Sequence, residues 1–290
     1  MTSVLRSRVL LPLALLGVVG CDNKDDPTPP EARTVNIPVL ARVGTEPFAC
    51  GRVYTNVGAT GTSYEPMDFR VYVHDVRLVK AGGQEVPVTL EDDGTWQHDG
   101  VALLDFANKD GLCTQGTAGT NTSLRGTVPE GDYTGLRFTL GVPETLNHGD
   151  VSTAPAPLND IGLFWSWRFG YLFTRIEGRT AGLPQGHAMH LGSTDCAPPP
   201  EGQTTGTAGC TNNNRPEVRL EAFNLETGKV VMDLGAFFAG SNLDTNATGT
   251  AEGCMSSQTD SDCAPLFQRL GLGFGAQAAN PSAQSFIRAE

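Results

Sequence analysis

Apolar and polar residues alternate with a period of two along much of this chain beyond its first thirty residues. Stretches of that kind are Val35–Val43, Phe69–Val79, Val86–Leu90, Val101–Phe106, Tyr133–Val142, Phe164–Ile176, Val218–Phe223 and Val230–Leu234. Clusters of Gly, Pro, Asn and Asp separate them, which is how strands and their turns read. In Phe164–Phe173, alternation places Trp165, Trp167, Phe169, Tyr171 and Phe173 on one face and Phe164, Ser166, Arg168 and Leu172 on the other. Five aromatics exceed what a core strand needs, although a packed aromatic core reads the same way. His74 falls on the face of Tyr72, Val76 and Leu78 and is read as an inward, hydrogen-bonded core residue before it is read as a ligand. Ala264–Leu272 reads as a short helix. Two Thr/Gly/Asn-rich loops, Pro198–Pro216 and Ser241–Asp262, interrupt the strands, and no repeat or second linker is visible. The expected fold is all-β, a single β-sandwich or barrel-like domain over residues 34–290 with long loops.

Composition narrows this further. Thirty-five Gly, 19 Pro and only 18% charged residues argue against a coiled coil or helical bundle. A net charge of −12 repels phosphate backbones, so nucleic-acid binding is not expected. Residues 1–20 carry Arg6 and Arg8 ahead of an apolar run from Val9 to Val19, too short to span a bilayer comfortably, which reads as a removed signal. Val18-Val19-Gly20-Cys21 resembles a bacterial lipobox, with Cys21 the lipidated first residue of the mature chain. Residues 21–33, rich in Asp and Pro, then form a flexible tether. The address is a periplasmic or outer-membrane lipoprotein, held to a membrane by its lipid.

Six further cysteines, an even number in an exported chain, read as disulfides. The favoured pairing is Cys50–Cys113, Cys196–Cys210 and Cys254–Cys263. No CxxC is present, and the spacings within the last two pairs suit loop staples better than the corners of a zinc site.

Signatures of catalysis fail one after another. There is no GxxxxGK[ST], no GxSxG elbow and no HExxH, and Gly271-Leu272-Gly273-Phe274-Gly275 has no helical run behind it. The chain is therefore read as a non-enzyme. What remains is a cluster of soft and borderline donors, His187, Met189 and His190, whose imidazole and thioether chemistry suits copper, Cu(I) above all. On a regular strand His187 and Met189 would share a face and His190 would point the other way, so one ion could collect all three only where the chain turns.

Several motifs, in order, resemble the MbnP family of exported copper-binding proteins, the four-Cys member of a metallo-mystery pair. They are Val101-Ala102-Leu103-Leu104-Asp105-Phe106, Gly141-Val142-Pro143 with Leu146-Asn147-His148, Pro157-Leu158-Asn159, Phe164-Trp165-Ser166-Trp167 with Gly170-Tyr171, His190-Leu191-Gly192-Ser193-Thr194 before Cys196, and Cys254-Met255-Ser256 before Asp262-Cys263. The resemblance covers about residues 35–272. It implies a dihaem partner of the cytochrome c peroxidase/MauG type that oxidises the first Trp of W-x-W, here Trp165, to kynurenine. The modified residue then helps to bind one copper ion, Cu(I) favoured. The resemblance makes His190 the first ligand and His148 a ligand or a group that orients one. The thioether is left open between Met255 and Met189. Met67 and Met232 read as core or edge residues. Trp96, two before His98, is a rival for the modified position, and His187 matches no motif. Leu163 stands where many members carry Met, which removes one thioether. The alternative reading is a lipoprotein interaction or adhesion domain that holds no metal.

Overall fold

The alternation around Phe69–Val79 extends in the computed structural model to a Thr62–Lys80 strand, the longest among the described residues. The structure describes residues 31–203 and 205–290. The signal peptide, Cys21 and most of the tether lie outside the described residues. The first strand begins at Ala32, so the end of the expected tether is already sheet.

Two sheets share one core. In the smaller, the strands Ile287–Ala289, Val230–Asp233, Ala32–Val43, Ser123–Pro129 and Thr89–Leu90 lie in that order. In the larger, His187–Leu191, Thr174–Thr180, Thr62–Lys80, Tyr133–Leu140 and Glu217–Leu220 follow one another, and Val101–Asp105 also pairs with the long strand. The fold is thus an all-β sandwich. Phe69, wholly buried, stands near the middle of the interface against Phe48, Phe106 and Phe286. Burying a ring of that size contributes roughly 2–3 kcal/mol. Among the described residues no helix is long and apolar enough to cross a membrane.

The long strand is buried on both faces. Asp68, Arg70 and Tyr72 alternate with Phe69, Val71 and Val73, and Arg70 is as fully enclosed as Phe69. The polar face survives burial because its partners lie opposite in register. Arg175 faces both His190 and Arg70, Arg70 faces Asp105, and Glu177 faces Asp68. A polar row therefore crosses four neighbouring strands.

Other expectations change. The stretch Phe164–Ile176 is not one strand: Phe164–Ser166 and Gly170–Tyr171 form a small hairpin, and Thr174–Thr180 is a separate strand. The reversal is local, with the Phe169 N–H donating to Ser166 Oγ at 3.2 Å. The five aromatics accordingly do not share a face. Tyr171 and Phe173 enter the core, whereas Trp165, Trp167 and Phe169 stay half-buried. The expected helix is Cys263–Leu270, ended by Gly271 in the left-handed region. A second helix, Leu234–Phe238, follows a strand where sheet alone was expected; Asp233 caps it by accepting from the Gly235 and Ala236 N–H groups. His74 is half-buried and bonds the Gly141 carbonyl at 2.8 Å, a structural role.

The three disulfides join Cys50 to Cys113, Cys196 to Cys210, and Cys254 to Cys263. The last has a positional consequence. The Gly253–Met255 segment lies along the outer edge of the His187–Leu191 strand, through Cys254 N–H to Ala188 O and His190 N–H to Cys254 O. What read as a long loop thus covers a sheet edge. Contact this close needs glycine: a Cβ on Gly253 would lie 2.0 Å from the Ala188 carbonyl oxygen. Met255 is thereby delivered beside His190.

Candidate metal centre

The His187–Leu191 strand sorts its own donors. His187, Met189 and Leu191 point into the sandwich, and Ala188 and His190 point out. Met189 is fully buried opposite Ile176, so it belongs to the core and not to His190's surroundings. His187 lies edge-on to Phe238 with ring centroids 5.8 Å apart, its Nδ1 without a partner among the described residues. Burial pushes its imidazole down to about 4 from the ordinary 6.5, against a small opposing pull from Asp262. Between those pH values the unfolded chain binds a proton that the folded one excludes, so stability falls as pH drops from about 6.5 toward 4. His74, also shifted down by burial, acts in the same direction. His187→Leu should therefore flatten, without abolishing, the acid limb of a melting-temperature profile; an unchanged limb would show that His187 titrates normally.

His190 is held differently. Its Nε2 lies 2.6 Å from Glu177 Oε1, which also accepts from Arg175 Nε at 2.8 Å. Burial alone would raise the Glu177 carboxyl, yet the bonds from His190 and Arg175 hold it down to about 2. The ring is thus clamped through Nε2, which leaves Nδ1 uncommitted among the described residues. A carboxylate behind a ligating imidazole fixes its tautomer and raises its basicity.

Trp165 faces the same region. Its ring centroid is 6.5 Å from that of His190. Gly192 lies under the indole, where a Cβ would come within 2.7 Å of Cζ3. A cavity of about 440 Å³ opens onto Trp165, Phe169, Thr194 and Met255. A neighbouring one of about 210 Å³ is lined by Met67, Glu177, His190 and Met255, among others. Met255 lines both. Of the two thioether candidates, the structure places Met255 with Trp165 and His190, and it adds Met67. Sequence reasoning passed over Met67 because a strand methionine before Phe69 looks like core. A register shift between Glu177 and Gly178 disturbs the pairing beside it, and nothing local in the sequence announces that shift.

The remaining candidates lie elsewhere. His148 bonds the Trp167 carbonyl through Nδ1 at 3.1 Å and approaches Asn147 Nδ2 through Nε2 at 3.2 Å; it lines neither cavity. It props the hairpin that carries Trp165. Glu144, His148 and Cys210 cluster closely enough to suggest a metal. However, Cys210 is bonded to Cys196 and so offers no thiolate, and Arg215 holds Glu144 at 2.8 Å. Trp96 lines a separate cavity without methionine, and His98 turns to Asp92 at 3.3 Å. Met232 is core.

The soft or borderline donors lining these cavities are the thioethers of Met255 and Met67 and the imidazoles of His190 and His187, the last with its ring turned toward Phe238. The indole nitrogen cannot join them as it stands, because its lone pair belongs to the ring. Of the two carboxylates lining the smaller cavity, Glu177 is occupied by His190 and Arg175, and Glu252 is exposed to solvent. Thioether and imidazole donors of this kind favour soft over hard cations.

A family model described as MbnP matches residues 32–256. Among solved structures, MbnP from Methylosinus trichosporium is similar to this chain, with a TM-score of 0.79 and 29% sequence identity over 89% of this chain and 98% of that one. No curated protein matches.

Proposed function

The chain belongs to the MbnP family, and on that premise we propose that it is an exported, lipid-anchored carrier of one copper ion, completed by oxidation of its own Trp165. The observation that carries this reading is the position of Met255, which lines the cavities of both Trp165 and His190. Oxidative cleavage of the C2–C3 bond of the Trp165 indole, adding two oxygen atoms with the partner's oxidant as electron acceptor, followed by hydrolysis of the resulting N-formyl group to formate, would release an aryl amine with a free lone pair. Together with His190 Nδ1 and the thioethers of Met255 and Met67 it would make an uncharged cage, suited to a soft monovalent cation. The chain catalyses nothing in this scheme. A dihaem partner of the cytochrome c peroxidase/MauG type supplies the oxidising power, and Trp165, half-buried on an open cavity, is within reach of an electron acceptor docked outside. Three disulfides fit the oxidising compartment to which the signal and the lipidated Cys21 would send it.

Protein co-expressed with such a partner should carry a Trp165 peptide heavier by about 4 Da, from one oxygen gained and one carbon lost. It should also retain close to one copper per chain. Protein made without the partner should show neither. Copper retained on an unmodified Trp165 would reject the maturation step, and a modified chain that holds no copper would reject the site. An interaction domain without metal predicts an unmodified, metal-free chain in both preparations.

A further inference from the structure

We propose that the cavity between Trp96 and the loop at residues 156–162 is a binding site for an alkyl ammonium group, with its charge on Asp105 and its hydrocarbon body along Trp96 and Ile161. The cavity holds about 470 Å³ and lies on the polar face of the larger sheet, at the opposite end of the polar row from His190. That volume is in the range of small-molecule pockets. The proposal draws nothing from the metal reading of Trp165.

Asp105 is the unusual group here. It is 2% exposed and takes one hydrogen bond, at Oδ1, from the Ala107 N–H at 2.9 Å. Among the described residues its Oδ2 has no hydrogen-bond partner, and the residue lines the cavity. The cations nearby are already committed. Arg70 is shared between Asp68 and Asp160, and Arg175 between Asp68 and Glu177. Among the described residues none forms an ion pair with Asp105. Arg70, opposite in register, pulls on Asp105 only through space while it serves Asp68 and Asp160; a buried carboxylate without an ion pair of its own is costly, and burial pushes this carboxyl up to about 7. An ammonium entering the cavity would supply both a direct ion pair and a donor for Oδ2.

The rest of the lining selects the kind of cation. Asp160 lines the cavity, but Arg70 and the Gly162 N–H occupy its two oxygens. A bare divalent ion would therefore find one free carboxylate oxygen, with a guanidinium close behind, far short of the oxygen shell it needs. The walls are partly apolar: Trp96 is half-buried, and Ile161, 71% exposed, stands at the mouth. An aromatic wall beside a carboxylate suits a cation that carries hydrocarbon. A free aliphatic amine and the lysine side chain of a protein present the same chemistry.

Titration of the full-length protein with cadaverine, followed by calorimetry and by the NMR signal of the Trp96 indole N–H, tests the proposal. Saturable one-site binding that shifts this signal is expected, and 1,5-pentanediol, the uncharged analogue, should not bind. Asp105→Asn keeps the acceptor for Ala107 and should weaken cadaverine at least about tenfold. Trp96→Leu, at a half-exposed position that leaves Asp105 intact, should weaken it about threefold. Nα-acetyl-lysine methylamide distinguishes the sources: tighter binding than cadaverine assigns the site to a protein lysine, weaker binding to a free amine. Absence of saturable binding by either amine, equal binding of the diol, or full affinity in Asp105→Asn overturns the proposal.

Discussion

Trp165→Phe should yield a folded protein that no longer retains copper, even after co-expression with the dihaem partner. Phenylalanine can keep the aromatic contact over Gly192 and the proximity to His190, so little stability rests on the change. What disappears is the only ring at this position that can open to an aryl amine. The donors then fall to His190, Met255 and Met67, and copper should drop from near one per chain to a trace. Competition with a chelator should report at least about a hundredfold weaker binding, equivalent to about 2.7 kcal/mol. His190→Ala makes the complementary case: it should lose copper equally while Trp165 still gains mass, which separates maturation from binding. A Trp165→Phe protein with undiminished copper would place the metal elsewhere.

Arg70→Met should be the most destabilising single substitution in the polar row, by about 3–5 kcal/mol. Arg70 has no solvent exposure and holds Asp68 through Nε at 2.8 Å and Nη2 at 2.5 Å, and Asp160 through Nη1 at 2.6 Å. Methionine fills much of the volume but leaves Asp68, equally enclosed, with only Arg175 at 3.3 Å. For a domain of this size the loss corresponds to a melting temperature lower by about 10 °C. Asp68→Asn in the Arg70→Met background removes the stranded charge and should recover part of the loss, a non-additivity expected of groups in direct contact. A melting temperature unchanged by Arg70→Met would mean that water reaches this row and screens it.

The strands that read correctly, such as Ala32–Val43 and Tyr133–Leu140, have one face against the shared core, and alternation reports that arrangement directly. The same pattern misled at Phe164–Ile176. Aromatic alternation cannot register that Ser166 turns the chain back, because a single side-chain hydrogen bond does that and leaves no period. The opposite facing of Met189 and His190 was legible as a conditional: a regular strand would separate them, and the strand is regular. Trp165, His190 and Met255 could be named from motif order. Met67, Glu177 and the Arg70 row could not, since each acquires its role from the strand that happens to lie opposite.

Order along the chain therefore determined the class of fold, the export address expected of the amino terminus and the chemical character of the candidate donors, because periodicity, turn residues and side-chain softness are properties of neighbours in sequence. Which thioether meets which imidazole was decided by tertiary structure alone. Strand register sets Glu177 against His190, and the Cys254–Cys263 staple lays Met255 along the sheet edge. The first depends on the register of two neighbouring strands and the second joins segments distant in the chain, and no local pattern carries either.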